Sequence, residues 1–304
     1  MAFTAADVKN LREMTGVGMM DCKKALTEAD GNIDKAIEYL REKGLAASAK
    51  KAGRIAAEGM AYATVIDGVG VVVEVNAETD FVGKNEKFVD FVKGVAAVVA
   101  KEAPADLEAL MACKYNDTLT VEQQQQEMVL VIGENIKVRR FARFAEGTSV
   151  SYVHAGGKIG VLVNLDTDLS AEQVEEVGKD AAMQIAALNP RFWDKSQVTE
   201  EVLEEEKRIM MVQMANDPKM ANKPEQVREK IVMGKLNKFY SENCLLQQEF
   251  VKDNNFTVEK YIASVAKNLG GTITFKDAVR FEKGEGIEKK EENFADEIAK
   301  MVKG

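Results

Sequence analysis

The chain has 304 residues, enough for about two domains, and 46% of them are hydrophobic, so a sizeable core can be buried. Its net charge of −9 and pI of about 5.1 argue against non-specific nucleic-acid binding, because an acidic protein does not gather a phosphate backbone. The three cysteines, Cys22, Cys113 and Cys244, are far apart and form no CxxC pair, which suggests neither a disulfide framework nor a zinc site and fits a reducing, cytosolic setting.

The opening MAFTAADVKNL has no charged-then-apolar signal pattern, and no apolar run reaches the roughly 18 residues of a membrane span. A soluble, helix-rich chain with some strand is expected. Residues 1–45 read as a three-helix module. Val8, Leu11, Arg12 and Thr15 mark a first helical face, with Thr4 or Asp7 as its cap. Gly16 and Gly18 interrupt the chain at TGVGMM, and a second helix runs Met20–Ala29. A third starts after Asn32, an N-cap type, and ends near Gly44. Three short helices make a very small core and suggest a docking module. Met19 and Met20 suit either that core or an adaptable contact surface. Residues 46–58 are Ala-rich and basic and predict a linking helix.

The centre contains an internal repeat. GVVVEVNAETDF and KIGVLVNLDTDL align at a constant offset of 88 residues, matching Val73 with Val161, Asn76 with Asn164, Thr79 with Thr167, Asp80 with Asp168 and Phe81 with Leu169. Each copy follows a short strand, Met60–Ile66 or Val150–His154, through a turn at Asp67–Gly68 or Gly156–Gly157. Each precedes an amphipathic helix, Glu86–Lys101 or Ala171–Ala187. Two β-hairpin-plus-helix units with antiparallel pairing therefore form an α+β centre.

The copies differ at the helix start. Ser170 with Gln173 makes a capping box directly after Leu169, whereas Val82, Gly83 and Lys84 stand there in the first copy. Thr79 and Asp80 offer side chains to cap the helix or bond nearby backbone. Phe81 either folds under the next helix or protrudes as an apolar tip; the looser helix start favours display.

Leu107–Val131 reads as helical, with a solvated Gln123–Gln126 run. Ile136–Phe144 is a strand carrying Lys137, Arg139, Arg140 and Arg143, which pair with acids or face a partner. Residues 198–238 read as a protruding helical hairpin with Pro218 and Pro224 at its tip. Val258–Leu269 is a helix, Thr272–Phe281 a strand, and Ala295–Val302 a terminal helix. The units are then residues 59–145, residues 146–197 with 239–282, the hairpin, and a tail at 283–304.

Catalytic chemistry is sparse. His154 is the one histidine, with no second ligand type beside it. No G-x-S-x-G, H-E-x-x-H, phosphate-loop or Rossmann fingerprint occurs. Asp80 and Asp168 could form a carboxylate pair, but their repeat relation explains them more simply. A binding protein is expected in preference to an enzyme.

TGVGMMDCKKALTEADGNIDKAIEYLR, NAETDFVGKNEKF and RFEKGEGIEK, in that order, resemble the elongation factor Ts family of bacteria over essentially the whole chain. The resemblance implies a ubiquitin-associated-like fold for the first module and a guanine-nucleotide exchange factor that meets elongation factor Tu in its GDP-bound and nucleotide-free forms. In that family the TDF turn inserts its Phe into the partner's GTPase domain and disturbs the bound magnesium. The implied wedge here is Phe81, with Thr79, Asp80 and Val82 around it. Arg12, Met19 and Met20 are implied to grip the same domain, and the second repeat, including His154, to contact others. No cofactor, metal, bond-making step, direct nucleic-acid contact or membrane is expected, and a homodimer or a heterotetramer with the partner is compatible. The competing readings are a plain scaffold and a small-molecule enzyme.

Overall fold

The computed structural model describes residues 3–217, 219 and 224–288. Most of the expected hairpin tip and the expected helix Ala295–Val302 lie outside them.

The first three helices are α1 (Ala5–Thr15), α2 (Met19–Glu28) and α3 (Ile33–Lys51). Thr4 caps α1 and Asp7 bonds back to the Thr4 N–H, a capping box. Asn32 caps α3. Leu11, Cys22, Ala25, Leu26 and Ala36 are wholly enclosed and form the small core. The expected stop near Gly44 and separate helix over 46–58 are not what forms. One helix continues to Lys51, and residues from Ala57 onward lead directly into a strand. Gly44 is buried because α3 lies close against a later helix there: a Cβ on it would sit 3.5 Å from the Gln126 carbonyl oxygen. That is an ordinary contact distance, so Gly44 is neither a terminator nor a position that demands glycine; the helix simply runs through it.

The first repeat comprises β1 (Glu58–Ile66), β2 (Val69–Ala77) and α4 (Glu86–Glu102); β3 (Lys137–Phe144) returns on the other side of β2. Between α4 and β3 the expected helical stretch is made of two helices, α5 (Leu107–Ala112) and α6 (Val121–Ile132). The break centres on Asn116, whose side chain accepts the N–H groups of Thr118 and Leu119 and so competes with helix bonds. The second repeat has the same plan: β4 (Thr148–His154), β5 (Ile159–Thr167), α7 (Ala171–Leu188) and a third strand β8 (Ile273–Glu282), order β4-β5-β8, all antiparallel. Asp80 and Asp168 occupy corresponding strand-to-helix turns.

Alternation along the strands sets the layers. Val71, Val73 and Val75 point to α4 and pack with Phe88, Phe91, Val92, Val95 and Val99. Val72, with Ala61 and Ala63 of β1, packs instead against Leu162 and Phe281 of the second sheet. Val161, Val163 and Leu165 face α7. The two sheets thus stand back to back with helices outside, which is why β2 and β5 are apolar on both faces. Each fully buried Val contributes about 1.5–3 kcal/mol.

A charge is enclosed between the sheets. Glu74 is fully buried. Its carboxylate accepts from Arg139 (2.9 Å), Arg140 (2.5 Å), Asn76 (3.0 Å) and the Gly284 N–H (2.8 Å). A bulge opposite Glu74 and Val75 lets consecutive residues of β3 reach one carboxylate. Burial pushes the Glu74 carboxyl up, but the Gly284 N–H, Asn76 and the two guanidiniums outweigh it and hold it below its ordinary value. Arg140 and Arg139 also bind Glu285, by its carboxylate and its backbone carbonyl respectively. The Gly284–Glu285 segment is therefore a fastener on the first sheet, and Arg139 and Arg140 pair with acids.

The hairpin is α8 (Glu200–Asn216) and α9 (Glu225–Asn243). Val198, Phe239 and Cys244 make its base; Met214 is enclosed while Met233 is 60% exposed. The chain then forms a short ribbon, β6 (Glu249–Phe250) with β7 (Asp253–Thr257), and α10 (Val258–Leu269) before β8. Among the described residues no helix is long and apolar enough to cross a membrane.

Candidate protein-binding site

The site begins where β2 ends. Glu78 and Thr79 are held from below by Glu134, in the loop between α6 and β3. One Glu134 carboxylate oxygen accepts the N–H groups of Glu78 (3.1 Å) and Thr79 (3.0 Å), and the other accepts the Thr79 hydroxyl (2.7 Å). The grip is reciprocal, because the Glu78 carboxylate accepts the Asn135 N–H at 2.6 Å. Asn135, buried, donates its amide to the Arg54 carbonyl at 2.7 Å, and the Arg54 guanidinium lies 3.4 Å from Glu78. The turn is thus tied to two other segments.

Beyond this clamp the backbone enters a short 3₁₀ turn, Val82–Lys84. Val82 sinks into the α4 core and roots the turn, so of the four residues expected around the wedge it is the one enclosed in the free chain. Gly83 passes so close to β1 that a Cβ would meet the Gly59 carbonyl oxygen at 2.8 Å. Helix α4 is capped by Asn85, which accepts from Lys87 and Phe88, and not by Thr79 or Asp80. At the constant repeat offset α4 starts three residues later than α7. Phe81 is left 79% exposed, whereas Leu169 is partly buried against the second core. Thr79 and Asp80 flank Phe81 on the surface.

The second turn is tied differently. Asp168 accepts the Thr272 N–H and hydroxyl, and these bonds, backbone first, hold its carboxyl below its ordinary value. The equivalent anchor in the first copy comes from Glu134, which leaves Asp80 turned outward.

Arg12, Met19 and Met20 are all exposed, Met20 by 74%, and Met14 joins them at 58%. The methionines form no part of the module's core. The Lys87 ammonium donates to the Gly16 carbonyl at 3.3 Å, which brings the TGVGMM loop against the first turn of α4. The module is not joined by its linker alone: Leu130 and Val131 of α6 pack on its core, and Arg41 meets Glu127 at 3.8 Å. Of the Gln run, Gln125 accepts the Val138 N–H and Gln123 completes a capping box, so the run is partly structural. His154 stands apart, exposed at the end of β4, its Nδ1 2.9 Å from the Tyr152 hydroxyl.

Glu134, Asn135, Arg54 and Lys87 escape a reading of the sequence, since each acts on a residue at least 24 positions away in the chain. Among the described residues no group of three or more His, Cys, Asp or Glu could hold a metal ion, and the three cysteines are free thiols, Cys22 and Cys244 buried.

An exposed aromatic on a braced strand end, with an exposed Met and Arg surface bonded alongside, is the geometry of a protein that meets another macromolecule. The model of the family described as elongation factor TS matches residues 78–285, beginning at the clamped turn. Elongation factor Ts of Clostridium kluyveri is 49% identical over 307 residues, covering 99% of both chains. That of Clostridium perfringens strain 13 is 50% identical over 302 residues and 98% of both, and that of Syntrophotalea carbinolica 48% over 307 residues and the whole of both. The chain belongs to the elongation factor Ts family.

Proposed function

We propose that this chain is a guanine-nucleotide exchange factor: it binds elongation factor Tu in the cytoplasm and promotes GDP release during translation elongation, making and breaking no covalent bond itself. Phe81 is the wedge, entering the partner near its nucleotide and magnesium, with Thr79 and Asp80 beside it. Arg12, Met19 and Met20 supply a second grip, and His154 a contact from the second repeat. The observation that carries this reading is Phe81, 79% exposed at the end of a braced strand, in a chain of this family.

The energetics require both grips. An exchange factor binds the nucleotide-free partner better than the filled one, and by linkage weakens the nucleotide by the same factor. Each tenfold gain in release needs about 1.4 kcal/mol, and burying one Phe supplies about 1.5–3 kcal/mol. Phe81 contributes strongly but not alone.

The test is release of labelled GDP from purified elongation factor Tu, with and without this chain. A large acceleration is expected. Equal rates, with binding retained, would leave a scaffold and remove the exchange reading.

A further inference from the structure

We propose that Glu134 is a positioning residue for exchange: it aims Phe81 by bracing the Glu78–Thr79 backbone, and does so without being the group that enters the partner. The proposal rests on the reading of Phe81 as the wedge.

Glu134 spends both carboxylate oxygens on the two residues that precede Asp80 and Phe81, through three hydrogen bonds between 2.7 and 3.1 Å. The bonds act on backbone donors and a hydroxyl, so they fix the direction in which the chain leaves β2. Two successive N–H groups aimed at one carboxylate cannot both be kept if the turn rotates. Gly83, pressed on Gly59, fixes the exit. The turn is thus held on both sides of an aromatic that touches little of its own protein.

The same clamp spans the two grips. Asn135, next to Glu134, binds the Arg54 carbonyl just beyond α3, and Lys87, just beyond the wedge, binds Gly16 in the module. Phe81 and the Met19–Met20 surface are therefore set relative to one another by bonds that converge on residues 78–87. A wedge on a loose tether would lose part of its binding free energy in ordering the turn on contact; the clamp has ordered it beforehand.

Three variants separate this from other roles. In Glu134→Ala the turn loses its acceptors, and stimulated GDP release should fall about tenfold, equivalent to about 1.4 kcal/mol. Glu134→Gln keeps an acceptor oxygen for the two N–H groups, and its amide can donate to the Thr79 oxygen, so it should release GDP within about twofold of wild type. Glu134→Asp keeps the charge but withdraws it by one methylene, so it should resemble Glu134→Ala; it also serves if the alanine variant folds poorly. The pair with Phe81→Ala completes the cycle: once Phe81 is gone, Glu134→Ala should change release little further.

Wild-type release by Glu134→Ala and Glu134→Asp, with Phe81→Ala slow, overturns the positioning role and leaves the wedge. Full additivity of the two alanine changes, or a glutamine variant as slow as alanine, also overturns it, because Glu134 would then act through its own contact or charge. Wild-type release by Phe81→Ala removes the wedge reading itself.

Discussion

Replacing Glu74 should unfasten two parts of the molecule at once. Glu74→Ala leaves Arg139 and Arg140 without their shared carboxylate and the Gly284 N–H without an acceptor, while Asn76 keeps only its bond to the Glu58 carbonyl. Removing one partner of a buried ion pair typically costs about 3–5 kcal/mol. Here the two arginine side chains keep 26% and 32% of their accessible surface, so water takes up part of the loss, and about 2–3 kcal/mol is the expected cost. The pH dependence gives a second handle. The Glu74 carboxyl is held below its ordinary value in the folded chain. Its contribution is therefore fully present above the unfolded carboxylate pKa of about 4.3 and is lost as pH falls through the lower folded value. Urea unfolding of wild type, Glu74→Ala and Glu74→Gln should be followed at pH 7 and in steps below pH 4.5. Wild type should lose stability on acidification more steeply than Glu74→Gln, and hydrogen exchange at residues 283–285 should rise in both variants. Unfolding of Glu74→Ala within about 0.5 kcal/mol of wild type, or identical acid slopes for wild type and Glu74→Gln, would refute the reasoning.

Two further outcomes follow from the geometry. Gly83→Ala puts a Cβ 2.8 Å from the Gly59 carbonyl oxygen, a backbone atom that cannot swing aside. The turn must shift, so stimulated GDP release should drop at least severalfold while far-UV circular dichroism stays unchanged; wild-type release would show that the turn tolerates displacement. Replacing residues 201–237 by a short Gly linker removes most of a hairpin whose helices pack chiefly on each other and at a small base, so the remaining chain should fold and keep most of its exchange activity. Complete loss of activity with the fold preserved would make the hairpin part of the grip.

Local chemistry is what the sequence discloses well. Val258–Leu269 and the Ser170 capping box form as read, since an N-cap, helical spacing and a terminal Gly act within a few residues. The repeat discloses the paired hairpins and the contrast between Phe81 and Leu169. Close approach between distant segments is not disclosed. Gly44 reads as a stop because a glycine in a helix usually weakens it, yet α3 runs through it to Lys51 with its far part packed on α6. Val82 carries no local sign of which way it points, and the 3₁₀ turn sends it inward beside an outward Phe81. The double-sided Val run of β2 carries the trace of back-to-back sheets, but nothing in it names the second sheet as the cover. Glu134 has no local signal, because the backbone it holds lies 55 and 56 positions away.

The wedge is tested most directly by pairing thermal unfolding with stimulated GDP release for Phe81→Ala and Leu169→Ala. Phe81 is 79% exposed and Leu169 partly buried against the second core, so the two repeat partners should give opposite results. Phe81→Ala should unfold within about 0.5 kcal/mol of wild type, as surface changes do. It should release GDP roughly thirtyfold more slowly, which corresponds to an interface anchor of about 2 kcal/mol. Leu169→Ala should lose about 1–2 kcal/mol of stability, less than a fully enclosed leucine, with release nearly unchanged. Wild-type GDP release by Phe81→Ala, or a melting temperature for it well below that of Leu169→Ala, would contradict the wedge.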